Sequence, residues 1–283
     1  MALGMFPVTS LRSSASLLEA VRLHWRQYLM EAVEVAALML CICFAGTLFY
    51  GRDSPIAILG LSWVARSALM GATVAAATFM IMLSPFGRRS GAHINPALTL
   101  AYFSVGRIHH WDAISYVLSQ FIGGIAGVYV ASLLLGRSLS DFPVLYVVTL
   151  PGRNGIFFAF VAELVTSFVF MAVVLISSNH RTLARVSPIF VVLVTVLYYV
   201  FSPTLSGYSV NPARSFSSAV FARLWKGIWI YCVAPVLGMV AAAGLYTKVA
   251  GLRRIYCVKV FHDLHSSCPF DCHFRELDKS TQQ

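Results

Sequence analysis

Six long apolar windows divide the chain, at about residues 33–50, 67–84, 113–135, 156–177, 187–203 and 228–247. Each approaches the ~20 residues that carry a helix across a bilayer, so six membrane-spanning helices are predicted. Two further stretches, Pro96–Val105 and Pro212–Phe221, are apolar or small but only ten residues long, about half of a span. Each follows an Asn-Pro pair. The Asn oxygen can cap free backbone N–H groups, and Pro suits the first helical position, where its missing donor costs nothing. These stretches are therefore expected to be re-entrant half-helices.

The half-helices belong to a repeat. Ser90-Gly91-Ala92-His93-Ile94-Asn95-Pro96-Ala97 recurs 116 residues later in Ser206-Gly207-Tyr208-Ser209-Val210-Asn211-Pro212-Ala213-Arg214-Ser215-Phe216. Windows one to three with the first half-helix make one half, residues 28–136. Windows four to six with the second make the other, residues 155–250. Three spans per half is an odd number, so the second copy enters the membrane from the opposite face. The repeat is inverted, and the half-helices dip in from opposite sides to meet near the midplane, an architecture known among membrane transport proteins.

Composition agrees. With 58% hydrophobic residues, 11% charged and a mean hydropathy of +0.77, the chain would expose too much apolar surface in water, which excludes a soluble protein and leaves a polytopic membrane protein. Placing both termini and the 84–90, 106–112 and 178–186 loops on the cytoplasmic side collects fourteen of the 21 Lys and Arg residues: 12, 22, 26, 88, 89, 107, 181, 185, 248, 253, 254, 259, 275 and 279. The positive-inside rule then predicts cytoplasmic termini. The net charge of +10 reflects topology and anionic lipid rather than nucleic acid. Residues 1–27 are broken by Arg12, Glu19, Arg22, His24 and Arg26 and make a poor signal peptide. They read as a basic lead-in, with Leu17–Tyr28 a short amphipathic surface helix.

Glu31 and Glu34 open the first window and Glu163 sits inside the fourth. A carboxylate at such depth costs roughly 2.5–3.5 kcal/mol and is rare without a task. Glu31 and Glu163 are read as a matched pair. The non-helical backbone leading into each half-helix leaves N–H groups that lipid cannot satisfy, and a buried acid can accept them. A proton relay or an ion site is the alternative, disfavoured by the scarcity of other buried charges.

The two Asn-Pro-Ala boxes, the second followed by Arg214, together with an acid opening each half and Gln120-Phe121-Ile122-Gly123-Gly124 in the third window, resemble the major intrinsic protein family, the aquaporins and glycerol facilitators. The likeness covers residues about 28–250. It implies an all-α membrane fold of six tilted helices and two half-helices, one pore per subunit and a homotetramer; the expected activity is a passive plasma-membrane channel for water, with glycerol slow and other small neutral solutes left open.

Physical argument supports such a pore independently. Each half-helix presents about +0.5 charge at its N-terminus, so their meeting point repels cations. A unit charge ~4 Å from one positive charge at an effective dielectric of ~20 feels about 4 kcal/mol, roughly a thousandfold in rate, whereas neutral water only turns. With the Asn95 and Asn211 oxygens committed to capping, their amide N–H groups are expected to donate to passing water, aiming its hydrogens outward and breaking a proton wire. Arg214, two residues after Pro212, lies at membrane depth with no acid in sequence reach as a partner, so it must line a wet cavity.

The resemblance makes Arg214 the filter arginine and carries over Tyr208, three residues before Asn211, and Tyr199, twelve before it. The fourth filter member falls on Met70 if the Ser84–Arg89 segment is an insertion and on Ala75 otherwise. His93 is carried as pore support. Water-selective members usually have His where Tyr199 falls. Glycerol facilitators have Gly there, and Asp where Ser215 falls. Ser215 and Ala219 match the water type; Tyr231 fits the expected aromatic, but Cys232 replaces the usual Trp.

The segment 251–283 reads as a flexible cytoplasmic tail. Its His262, His265, Cys268, Cys272 and His273 have metal-ligand character, but their spacing matches no clear tetrahedral zinc pattern, so no metal and no cofactor are expected. Cys41, Cys43 and Cys232 read as packing residues, and His109-His110 as solvated loop residues. An intramembrane enzyme is disfavoured because no nucleophile, base and orienting group recur together. An ion-coupled transporter is disfavoured by the lack of a second set of midplane charges, and a purely structural membrane protein is the remaining alternative.

Overall fold

The computed structural model describes residues 16–201, 203–262, 270 and 272–274. Among them, six helical segments are long and apolar enough to cross a membrane: α1 (Leu17–Tyr50), α2 (Trp63–Leu83), α4 (His110–Leu135), α5 (Ile156–Ser178), α6 (Ser187–Phe201, which spans together with the helical turn Ala184–Val186 before it) and α8 (Ile228–Ala250). Two short ones, α3 (Pro96–Ser104) and α7 (Pro212–Ala222), stand where the half-helices were expected. Large apolar side chains such as Leu118, Ile122, Leu133, Val165, Leu193 and Leu197 are exposed on the outer faces. Water would be a costly solvent for such a surface, and lipid is a matching one.

The N-terminal segment differs from expectation. Leu17–Tyr28 is no separate surface helix but the first three turns of a single 34-residue α1. Neither Gly nor Pro interrupts residues 17–45, Ser16 caps the start by accepting from Glu19 N, and the extension is tied sideways to α4. Asp112 Oδ1 accepts from Tyr28 Oη at 2.5 Å and lies 2.8 Å from His24 Nδ1.

Pairing of helices repeats between the halves. Helix α1 packs on α4, α5 on α8, and α2 on α6. Glycine permits the closest approaches: a Cβ on Gly123 would stand 2.0 Å from Ala32 O, and one on Gly238 2.3 Å from Leu164 O. Each half-helix crosses into the opposite half, α3 packing against α8 and α7 against α4. Consequently α3 and α7 meet in the middle of the molecule.

The described part of the C-terminal segment is not a loose tail. Ile255, Cys257, Val258, Lys259 and Val260 are all buried. Val260 N donates to Gly91 O at 3.0 Å, and Tyr256 N to Asn179 Oδ1 at 2.8 Å. Residues 1–15, His265, Cys268, Arg275 and Lys279 lie outside the described residues.

Candidate functional site

The loops entering the two half-helices are built alike. Ala92 and Ile94 have φ of 52° and 45°, and Tyr208 and Val210 have φ of 50° and 57°. Such left-handed backbone is costly for residues with a Cβ and persists only where surrounding contacts enforce it. The enforcing contacts come from the acids. Glu31 accepts from His93 N and Ile94 N, both at 2.8 Å. Glu163 accepts from Ser209 N at 2.8 Å and Val210 N at 2.7 Å. Both carboxylates are fully buried, so every bond is made in a poorly screened environment.

Further members of each brace emerge only in three dimensions. Ser206 Oγ donates to Glu163 at 2.8 Å and Ser90 Oγ to Glu34 at 2.9 Å. Tyr116 Oη donates to Ser90 O and Tyr231 Oη to Ser206 O, each at 2.7 Å. Gln120 Nε2 adds a bond to Glu31 at 2.8 Å. A signal for these was present: Ser90 and Ser206 each precede their Asn by five residues, and Tyr116 and Tyr231 are 115 residues apart, close to the 116-residue spacing of the boxes.

Asn95 Oδ1 accepts from Ala97 N at 2.9 Å, and Asn211 Oδ1 from Ala213 N at 3.0 Å and Arg214 N at 3.3 Å. These are the expected caps. The amide nitrogens are more occupied than expected. Asn95 Nδ2 donates to Val210 O at 2.9 Å and Asn211 Nδ2 to Ile94 O at 2.7 Å, so each Asn ties its own half-helix to the loop of the other. An amide NH₂ carries two hydrogens, which leaves one on each side for another acceptor.

A cavity of about 80 Å³ runs past this junction, several times the roughly 10–15 Å³ one water needs on the same measure. Asn95, Asn211, Arg214, Tyr199, Tyr208 and His93 all line it, with apolar walls from Leu38, Ile42, Val74 and Val191. Arg214 is buried, and its Nη1 has no hydrogen-bond partner among the described residues. The Tyr199 and Tyr208 rings lie 4.4 Å apart. Tyr199 fits because α2 has Gly71 opposite it, where a Cβ would fall 2.5 Å from Tyr199 Cβ.

Neither Met70 nor Ala75 is on this cavity. Both are buried, and α2 contributes Val74 and Thr78 instead. Met70 lies one helical turn from Val74 on the same stripe, while Ala75 is rotated away from it. Ser215 is also off the cavity: its Oγ is 2.5 Å from both Thr149 Oγ1 and Ser209 Oγ, tying the segment between the two halves to the loop before α7. His93 Nε2 sits 3.0 Å from Val258 O. A carbonyl only accepts, so that nitrogen carries the proton. The other ring nitrogen faces Thr99 Oγ1 at 3.0 Å.

Residues 17–246 match the sequence profile of the family described as Major intrinsic protein. The chain belongs to the major intrinsic protein family. Bovine aquaporin-4 is 30% identical over 83% of this chain and 72% of its own length. Aquaporin Z of Photorhabdus laumondii is 30% identical over 66% of the chain and 83% of its own. Aquaporin NIP1-2 of Arabidopsis thaliana is 32% identical over 61% of the chain, and the match spans only 60% of that relative. Among solved structures, the aquaglyceroporin from Plasmodium falciparum shares the fold with a TM-score of 0.66 at 20% identity, covering 82% of this chain and 98% of that one. This chain is thus a multi-pass membrane protein of a family of channels for water or small solutes.

Proposed function

We propose that the protein is a passive water pore which admits small neutral solutes poorly and excludes ions and protons, working as a homotetramer in the plasma membrane with both termini cytoplasmic. The observation that carries this reading is the convergence on one cavity of two capped half-helix N-termini and a buried arginine. Two positive dipole ends and a guanidinium make that passage hostile to cations. Water, being neutral, can exchange its hydrogen bonds for those of the remaining Asn95 and Asn211 amide hydrogens and the Arg214 guanidinium. Tyr199 and Tyr208 narrow the same stretch, so a three-carbon polyol would lose its hydration without enough partners to replace it.

Arg214→Ala tests this in proteoliposomes. Loss of the side chain removes the charge and widens the passage, so uptake of glycerol or urea is expected to rise several-fold while water flux persists. Unchanged solute selectivity would remove Arg214 from the filter.

A further inference from the structure

Residues 255–262 form a strap across the face where α1 begins and α8 ends. Ser187 Oγ donates to Val260 O at 3.0 Å, and Lys259 Nζ to Arg88 O at 2.5 Å. Val260 itself lines the central cavity, so the strap is part of the pore wall. The chain then returns to it. His273 N donates to Tyr256 O at 2.8 Å, and Phe274 stacks on His262 with ring centroids 4.3 Å apart. This return brings Cys257, His262 and Cys272 together, with one ligand atom from each lying within 4.8 Å of the others.

We infer that Cys257, His262 and Cys272 form a binding site for a divalent metal ion of the zinc class, which pins the strap against the pore. Two thiols and an imidazole are the donor set that zinc, cadmium and cobalt take in preference to magnesium or calcium. Around zinc, with Zn–S about 2.3 Å and Zn–N about 2.0–2.1 Å, tetrahedrally placed donor atoms stand roughly 3.5–3.8 Å apart. The widest pair in the observed group therefore needs to close by about 1.0–1.3 Å at most, while His262 Nε2 and Cys272 Sγ, at 3.0 Å, need to open by about 0.5 Å. His262 Nε2 already stands 3.0 Å from Cys272 Sγ, and its Nδ1 is buried without a hydrogen-bond partner among the described residues. The Nε2–Sγ contact is within hydrogen-bonding reach of the thiol, and a metal ion between the two atoms would take the place of this hydrogen bond. Three protein donors leave a fourth position for water or another ligand. Both thiols surrender their protons on binding, so affinity falls as pH is lowered.

The test uses the full chain purified under reducing conditions with a histidine-free tag. Elemental analysis after zinc loading and desalting is expected to give about one zinc per chain. Cys257→Ser, Cys272→Ser and His262→Gln should each lower this at least tenfold. Cobalt in place of zinc should produce a thiolate charge-transfer absorption in the parent, and both cysteine variants should weaken it. If a cysteine variant fails to fold, as judged by gel filtration, His262→Gln carries the test with both thiols kept. Zinc should also slow proteolysis within residues 255–262 relative to chelator-treated protein. Absence of bound metal, equal metal content in the variants, or a Cys257–Cys272 disulfide that persists in reductant would overturn the site. Zinc binding without any change in proteolysis would overturn the pinning.

Discussion

The amide of Asn211 faces two ways, its oxygen capping α7 and its nitrogen donating to Ile94 O at 2.7 Å. Asn211→Asp keeps the cap but turns a donor into a second acceptor opposite that carbonyl, and it brings negative charge to the positive junction. Proton leak into vesicles loaded with a pH-sensitive dye is expected to rise roughly tenfold, about 1.4 kcal/mol off the barrier. An unchanged leak in folded protein would rule out a part for Asn211 in proton exclusion. Tyr199 can be probed similarly. Its ring, 4.4 Å from that of Tyr208 on the cavity wall, is bulk that Tyr199→Gly removes, so glycerol flux should rise roughly tenfold, again about 1.4 kcal/mol. No change would remove Tyr199 from the narrow stretch. At this scale local rules carried what could be read: an Asn before Pro reads as a cap, as both prove to be, and an arginine at membrane depth reads as lining a cavity, where Arg214 stands. It could not show that each Asn amide reaches the opposite loop, because a bond between residues more than a hundred positions apart leaves no local trace.

Elements were legible in proportion to how far their own residues decide them. The half-helices carry their start signals within three residues, and the structure places them within one residue of the expected ends. The extension of α1 towards Leu17 depends on Asp112 of a distant helix, and the strap depends on carbonyls of the 88–91 turn. Neither shows in hydropathy. The glycine contacts between helices give a quantitative test. Gly123→Val would push a side chain into Ala32 O, and overpacking of this kind costs about 1–3 kcal/mol or more. Gly244, also helical, has nothing within 4 Å of its Cβ position. In detergent, Gly123→Val should lower the thermal aggregation midpoint markedly and Gly244→Val should not. Equal behaviour of the two would mean that close approach of α1 and α4 does not limit stability.

Across the whole molecule, the inverted repeat makes one structural solution appear twice. Glu31 and Glu163 perform the same service for loops entering from opposite faces. Glu31→Gln and Glu163→Gln each exchange one acceptor oxygen for a donor facing a backbone N–H, leaving a buried donor unsatisfied at a cost of about 1–3 kcal/mol. Comparable losses of thermal stability are expected for both, and a loss confined to one would contradict their equivalence. The same two-fold arrangement brings both half-helix N-termini to a single point, and selectivity is the property it should produce. Stopped-flow light scattering on wild-type proteoliposomes under matched water and glycerol gradients reads that property most directly. Water equilibration far faster than in empty liposomes, with glycerol entry close to the empty-liposome rate, is the predicted result. Glycerol entry as fast as water, or water flux no greater than that of bare lipid, would contradict it.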